Sequence, residues 1–273
     1  MANISEKYGA SAIILGCAEG LGKAFVDDLI LKGFTTLHLL DNNEKALALQ
    51  TRKIKEKHKI KINQIHNDLN DESTWPQISQ LILDHQIGLI IFNAAYGPIG
   101  FFKSQPYEQI EKIFSINIQC VTTILWNVIH NRPKEYHFGI IIVSSLSAFY
   151  GGIGIATYAA SKAYLLTLGR SLYRELKPLG LDILTCCPGM IDTPGLRSSK
   201  PNTSSFQFTM SSPDYVARKT LDTLGKKAII IPGRMNRVSY FIFNRLLPYR
   251  TVHQLVDKTL DQMYNLNKQN DNT

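Results

Sequence analysis

The chain has 273 residues, of which 44% are hydrophobic and 19% charged, and it carries a formal net charge of +8. A chain of this length buries a sizeable core, and this balance excludes a disordered or fibrous protein. No uninterrupted apolar run reaches the roughly 18 residues of a membrane span, and the start, MANISEKYGASAIILG, lacks the layout of a secretory signal, so the expected address is cytoplasmic.

Taken in chain order, short β-rich runs alternate with segments of helical period, the pattern of βαβ units around a parallel sheet. Strands are predicted at 10–16 (ASAIILG), 35–40 (TTLHLL), 61–66 (KINQIH), 87–93 (IGLIIFN), 138–145 (FGIIIVSS), 181–187 (LDILTCC) and 227–232 (KAIIIP). Most are apolar without alternation, as expected of strands covered by helices on both faces. One α/β domain over 1–273 is expected. The Ser- and Pro-rich stretch 194–212 reads as a mobile loop beside a site. Residues 233–273 read as a C-terminal helical extension.

The first strand runs into ILGCAEGLGKAF, with glycines at Gly16, Gly20 and Gly22. Glycine there lets backbone N–H groups approach a diphosphate, and the following helix N-terminus favours its charge. A tight turn needing only small residues is the alternative. Asp41, nineteen residues after Gly22, ends the second strand where a dinucleotide fold places an acid on the adenosine ribose. Its carboxylate would repel a 2′-phosphate, Asn42 and Asn43 offer no arginine to hold one, and Glu19 adds negative charge, so NAD is expected over NADP. An Asp that only caps the next helix is the competing reading. Further on, TYAASKAYL sets Tyr158 one helical turn before Lys162, on one helix face; alone, the pair could be a chance surface feature. Cys17, Cys120, Cys186 and Cys187 lack C-x-x-C spacing and the seven histidines are scattered, so reduced structural thiols and no metal are expected.

With this glycine pattern and YAASK in one chain, the sequence resembles the short-chain dehydrogenase/reductase family, single-domain nicotinamide enzymes with a Rossmann-type, doubly wound sheet. The resemblance spans about residues 8–232 and includes FNAA (92–95), SIN with Asn117, VSS with Ser145, and PGMIDT after the sixth strand. It implies an oxidoreductase that moves a hydride between the cofactor and a secondary alcohol or ketone. In it Tyr158 is the general acid/base and Lys162 lowers the phenol's pKa and holds the nicotinamide ribose. Ser145 bonds the substrate oxygen, and Asn117 helps order a water that relays protons from Lys162. The implied cofactor set is Gly16, Glu19, Gly20, Leu21, Gly22, Asp41, Asp68, Leu69, Asn93, Ala94, Tyr158, Lys162, Pro188, Gly189, Ile191 and Thr193, with Asp68 at the adenine edge. Leu15, Phe92 and Ala95 depart from the family pattern, removing a hydroxyl and an amide that would link two loops. Tyr96, Ser147, Tyr150 and Met190 are expected in a partly apolar substrate cleft. Family members are commonly dimers or tetramers. A non-catalytic nucleotide-binding or regulatory protein on the same fold is the alternative of a different class.

The segment 218–250 holds eight Lys or Arg and one acid. No nucleic-acid recognition motif accompanies this charge. Within it, RVSYFIFNRLLPYR mixes Tyr240, Phe241, Phe243, Leu246 and Leu247 with Arg237, Arg245 and Arg250, the composition of a helix at the inner membrane surface. A helix packed on the substrate pocket or on a neighbouring subunit is the other reading of residues 234–250.

Overall fold

The computed structural model describes residues 4–133, 137–202 and 210–266. Seven strands form it: β1 (Ser11–Leu15), β2 (Thr36–Asp41), β3 (Lys61–His66), β4 (Leu89–Phe92), β5 (Phe138–Val143), β6 (Leu181–Cys186) and β7 (Ile229–Ile230). The helices are α1 (Ile4–Tyr8), α2 (Gly20–Leu31), α3 (Glu44–Lys57), α4 (Thr74–Asp84), α5 (Tyr107–Ile113), α6 (Cys120–Asn131), α7 (Ser147–Tyr150), α8 (Ala156–Leu176), α9 (Pro194–Ser198), α10 (Pro213–Thr223), α11 (Arg234–Arg245) and α12 (Tyr249–Tyr264). All strand pairs are parallel, in the order β3-β2-β1-β4-β5-β6-β7. The chain therefore reverses direction across the sheet between β1 and β4, and a crevice opens beyond the carboxyl ends of those strands.

Alternate residues of each central strand serve two different cores, which is why the strands show no polar alternation. Ala12 and Ile14 of β1, Leu89 and Ile91 of β4, and Ile141 and Val143 of β5 join one cluster, together with Phe25 of α2 and Val216 of α10. Ile13 and Leu15, Ile90 and Phe92, and Ile140 and Ile142 join the other, with Ile78 of α4, Ile124 of α6 and Leu165 of α8. This is a doubly wound α/β sheet. Six strands occur within a few residues of their expected bounds. The seventh shrinks to two residues, because it is an edge strand bonded to β6 only through Thr185↔Ile229 and Cys186↔Ile230.

Local chemistry sets several helix starts. Asn43 accepts from Ala46 N–H at 3.1 Å to open α3, and Thr193 and Ser212 cap α9 and α10, each followed by a proline. The loop expected at 194–212 thus begins as a short helix; its residues 203–209 lie outside the described residues. Between α5 and α6 the chain widens into a π-helix, Phe114–Gln119. The continuous helical stretch Tyr107–Asn131 is long and apolar enough to cross a membrane by length and composition, but much of it is buried. Ile113, Val121, Ile124 and Val128 of that stretch belong to the protein's own core.

At the amino end of β6, away from the crevice, Asp182 is 4% exposed and gathers Lys7, Lys177 and Tyr8 around its carboxylate. Burial pushes its pKa up, but hydrogen bonds from Lys177, Lys7 and Tyr8 outweigh burial and hold it below the usual carboxylate value. A depressed carboxylate pKa stabilises the fold above the unfolded-state value of about 3.9, and that contribution fades as pH falls through the folded-state value. Asp182→Asn is therefore expected to lower unfolding free energy by about 2 kcal/mol at neutral pH, since the lysines are partly solvated. The difference from the parent should shrink towards pH 3 in denaturant titrations; a difference independent of pH would exclude the charge mechanism.

Candidate active site

The glycine turn after β1 is shaped by close backbone crossings. Gly16 has φ +80, and a Cβ there would lie 2.6 Å from the Cα of Ala94. A Cβ on Gly22 would lie 1.9 Å from the Gly16 carbonyl oxygen, so the first turn of α2 sits directly under the loop. Asn93 closes the junction by donating Nδ2–H to the Gly16 carbonyl at 2.6 Å. Asp41 accepts from the Ala18 N–H at 2.8 Å and from the Asn43 N–H at 2.9 Å, tying the second strand's end to the same loop. The departures at Leu15 and Phe92 have a packing explanation: both are at most 3% exposed and face the core shared by α4, α6 and α8, so apolar contact stands where a polar link was expected.

The other half of the site is carried by α8 and the end of β5. Lys162 is 2% exposed and donates from Nζ to the Val143 carbonyl at 2.9 Å. Its Nζ stands 5.6 Å from the centre of the Tyr158 ring. Ser145 shares a hydrogen bond with Tyr158. The Ser145 Oγ also accepts from the Ser147 N–H at 3.1 Å and from the Ser147 hydroxyl at 3.0 Å. Gly97 lies against the Tyr158 ring, where a Cβ would come within 2.5 Å.

Burial pushes the Tyr158 pKa up, and the bond with Ser145 offsets this only in part. Burial moves Lys162 the other way, down to about 8. Desolvation is the larger influence on the phenol, while the Lys162 ammonium, 5.6 Å from its ring centre, donates to the Val143 carbonyl. Tyr158 is thus held as a proton donor across the neutral range.

Asn117 is likewise held by its neighbours. It is fully buried in the π-helix, donates from Nδ2 to the Tyr96 carbonyl at 2.9 Å and to Ser161 Oγ at 3.0 Å, and accepts from the Tyr96 N–H at 2.9 Å. Both amide hydrogens are spent on the protein. It latches the loop after β4 to α8, the helix that carries Tyr158 and Lys162.

These residues surround one cavity of about 1090 Å³, larger than a typical drug-sized site. Gly16, Glu19, Gly20, Leu21, Asp41, Asp68, Leu69, Asn93, Ala94, Ser145, Tyr158, Lys162, Pro188, Gly189, Ile191 and Thr193 line it; Gly22 and Asn117 stand behind the wall. Tyr96, Ser147, Tyr150 and Met190 line it as well. Tyr240 and Phe243 of α11 line it too, in keeping with a helix packed on the pocket, whereas Leu146, Ile155 and, from α12, Leu260, Met263 and Tyr264 were not expected there. The helical period of 235–264 was the available signal. Phe149 and Tyr240 rings meet edge to face at 4.7 Å and Tyr150 and Phe243 at 5.5 Å, forming one aromatic wall. The Asp257 carboxylate accepts from the Ile153 N–H at 3.0 Å, and Leu260 fills the space above Gly152, so α12 is seated on the loop after α7.

A family model described as short chain dehydrogenase matches residues 10–204. The chain belongs to the short-chain dehydrogenase family. Among relatives, it is 26% identical over 235 residues to a 7beta-hydroxysteroid dehydrogenase of Clostridium sardiniense, covering 86% of this chain and 90% of that one. It is 24% identical over 231 residues to the human protein named inactive hydroxysteroid dehydrogenase-like protein 1, covering 82% and 68%. Among solved structures, one of a 7beta-hydroxysteroid dehydrogenase superposes with a TM-score of 0.84 at 20% identity, over 93% of this chain and 99% of that one. A short-chain dehydrogenase from Sphingobium yanoikuyae in complex with NADPH gives 0.73 at 18% identity, over 87% and 96%. A 3-ketoacyl-(acyl-carrier-protein) reductase from Brucella melitensis with NADH gives 0.69 at 18%, over 82% and 96%. Oxidoreductase activity follows at the level of the family, whose neighbours bind reduced nicotinamide dinucleotides of both kinds.

Replacing Asn117 by Ala is expected to cost about 2–3 kcal/mol of unfolding free energy from three buried hydrogen bonds, and to slow turnover although the amide touches no cavity surface. Thermal unfolding and steady-state rates check this; a stability equal to the parent's would remove the latch.

Proposed function

We propose that the protein is a nicotinamide-dependent oxidoreductase that interconverts a hydrophobic secondary alcohol and its ketone, with NAD as preferred cofactor. The observation that carries this reading is the meeting of Tyr158, Ser145 and Lys162 at the junction between a glycine-walled, acid-edged half of one cavity and its apolar half. Gly16 and Gly20 present bare backbone to the cavity at the start of α2, which fits a diphosphate. Asp41, Glu19 and Asp68 make that end of the cavity acidic, which favours a free ribose diol over a 2′-phosphate.

When bound, the nicotinamide supplies or accepts the hydride. In the direction of reduction, Tyr158 donates its hydroxyl proton to the carbonyl oxygen while Ser145 holds that oxygen by a hydrogen bond. Ser147 orients Ser145 through the two bonds its Oγ accepts. The Lys162 ammonium stabilises the phenolate left behind until a proton is restored, and would hold the ribose hydroxyls of a bound cofactor. The wall of Tyr150, Tyr240 and Phe243 with Met190, Leu260 and Met263 excludes water and selects apolar bulk. The names of the relatives, dehydrogenases of hydroxysteroids, support a bulky, fused-ring alcohol or ketone as the first class to test. Residues 1–273 act as a single domain, working as a homodimer or homotetramer in the cytoplasm.

An activity screen with hydrophobic ketones and NADH should give turnover that falls about 10³-fold in Tyr158→Phe, the range of a lost general acid. Unchanged rates in that variant would overturn the Tyr158 mechanism, whereas a parent with no turnover would favour a non-catalytic role like that in the name of the human relative. NADPH should bind at least about tenfold more weakly than NADH, from one repelled phosphate; equal or tighter NADPH binding would overturn the preference. The reduction rate should hold below about pH 7 and fall as pH rises through about 8, where Lys162 loses its charge. A rate still rising at pH 9 would exclude a charged Lys162 from the active form.

A further inference from the structure

The α11 helix has two apolar faces. Its inner face packs on the protein: Asn236 is 7% exposed and donates to the Pro232 carbonyl at 2.8 Å, while Tyr240 and Phe243 join the aromatic wall. Its outer face carries Met235, Val238 and Phe241, at 56%, 49% and 57% exposed, and the turn into α12 continues the stripe with Leu246 and Tyr249 at 65% and 78%. Positions 235, 238 and 241 fall on one side of a 3.6-residue helix and 236, 240 and 243 on the other. Phe241 and Phe243, two residues apart, therefore have opposite environments.

Exposed arginines border the outer stripe: Arg234 and Arg237 at one end, Arg245 and Arg250 at the other. Between Asp222 and Asp257 the chain has six Lys or Arg and no acid. Among the described residues none of these four arginines is in a salt bridge, although seven ion pairs form elsewhere. Large exposed apolar side chains gathered on one face and rimmed by charge mark an interaction site. A second copy of the chain docked face to face would bring four arginines against four, with no carboxylate supplied by residues 223–256. The charge instead complements an anionic surface that also accepts apolar side chains.

We propose that the outer face of α11 and the α11–α12 turn is a docking surface for an anionic lipid bilayer, with Met235, Val238, Phe241, Leu246 and Tyr249 entering the interface and the four arginines meeting lipid phosphates. The inner face of the same helix lines the cavity, so docking places the apolar half of the site about one helix diameter, roughly 10 Å, from the lipid. A hydrophobic substrate dissolved in the membrane then has a short path to Tyr158. The docking itself does not depend on the chemistry proposed above, and vesicle binding tests it whether or not turnover is found.

The test is flotation of the full chain with vesicles of phosphatidylcholine containing ~30% phosphatidylglycerol, and with phosphatidylcholine alone, at ~0.1 M salt. The protein is expected to float with the anionic vesicles and not with the neutral ones. Arg234→Glu with Arg245→Glu should weaken binding at least about 30-fold, since each charge near such a surface is worth about fivefold. Val238→Ser with Phe241→Ser should weaken it about tenfold or more through lost apolar burial. Both variants alter exposed positions and should keep the parent melting temperature. Failure of the parent to float overturns the proposal. So does floating that survives the Val238 and Phe241 changes at full strength, because charge alone then explains it. A parent whose oligomer dissociates in the Phe241→Ser variant and that ignores vesicles assigns the face to self-association and equally overturns it.

Discussion

The contact on which the site depends is that between the buried ammonium of Lys162 and the Val143 carbonyl at the end of β5. An ammonium taken out of water without partners is strongly disfavoured, so this bond tolerates little displacement of the helix that bears it. The position of α8 is set by close packing farther along: Gly169 presses on β6, where a Cβ would lie 2.1 Å from Thr185 Oγ1. Ser144 adds a second tie by donating to the Lys162 carbonyl at 2.7 Å. Strand, helix and charge are therefore fixed together, and Tyr158 follows because it rides one turn away on the same helix.

Around this point the sheet divides the labour of the cavity. Strand ends β1, β2 and β4 supply backbone, glycine and carboxylate, groups suited to a diphosphate and a ribose. Helices α11 and α12 supply aromatic and aliphatic surface, suited to an apolar substrate. The loop between β5 and α8 joins the halves, and its Ser145 is oriented by Ser147 rather than left to rotate. The charged cluster at Asp182 lies at the other end of β6, where it anchors α1 and the turn after α8 without disturbing the site.

Much of this was legible in the sequence, for physical reasons. Unalternating apolar runs bounded by turn residues announce strands covered on both faces, and the glycine spacing after the first run announces a close backbone crossing, since no other residue fits there. The spacing of Tyr158 and Lys162 announces one helical face. What was not legible depends on tertiary surroundings. The acceptor that takes the Lys162 ammonium is one such feature, since Val143 is nineteen residues away in sequence. The use of both Asn117 amide hydrogens required knowing that Tyr96 and Ser161 flank it. The aromatic residues of α11 read as one group by composition, and only the surface beneath the helix separates Tyr240 and Phe243 from Phe241. The substitutions at Leu15 and Phe92 look like lost polar links until the second core is seen to receive both side chains.

The most direct test of the account is whether a hydride moves from nicotinamide to a ketone carbon in this cavity. Enzyme is incubated with NADH deuterated at the transferable position and a bulky hydrophobic ketone, and the product is examined by mass spectrometry. The expected product is an alcohol carrying one deuterium on the former carbonyl carbon, with matching loss of NADH. NADH that stays unconsumed across a broad set of such ketones, with no labelled alcohol, would contradict it.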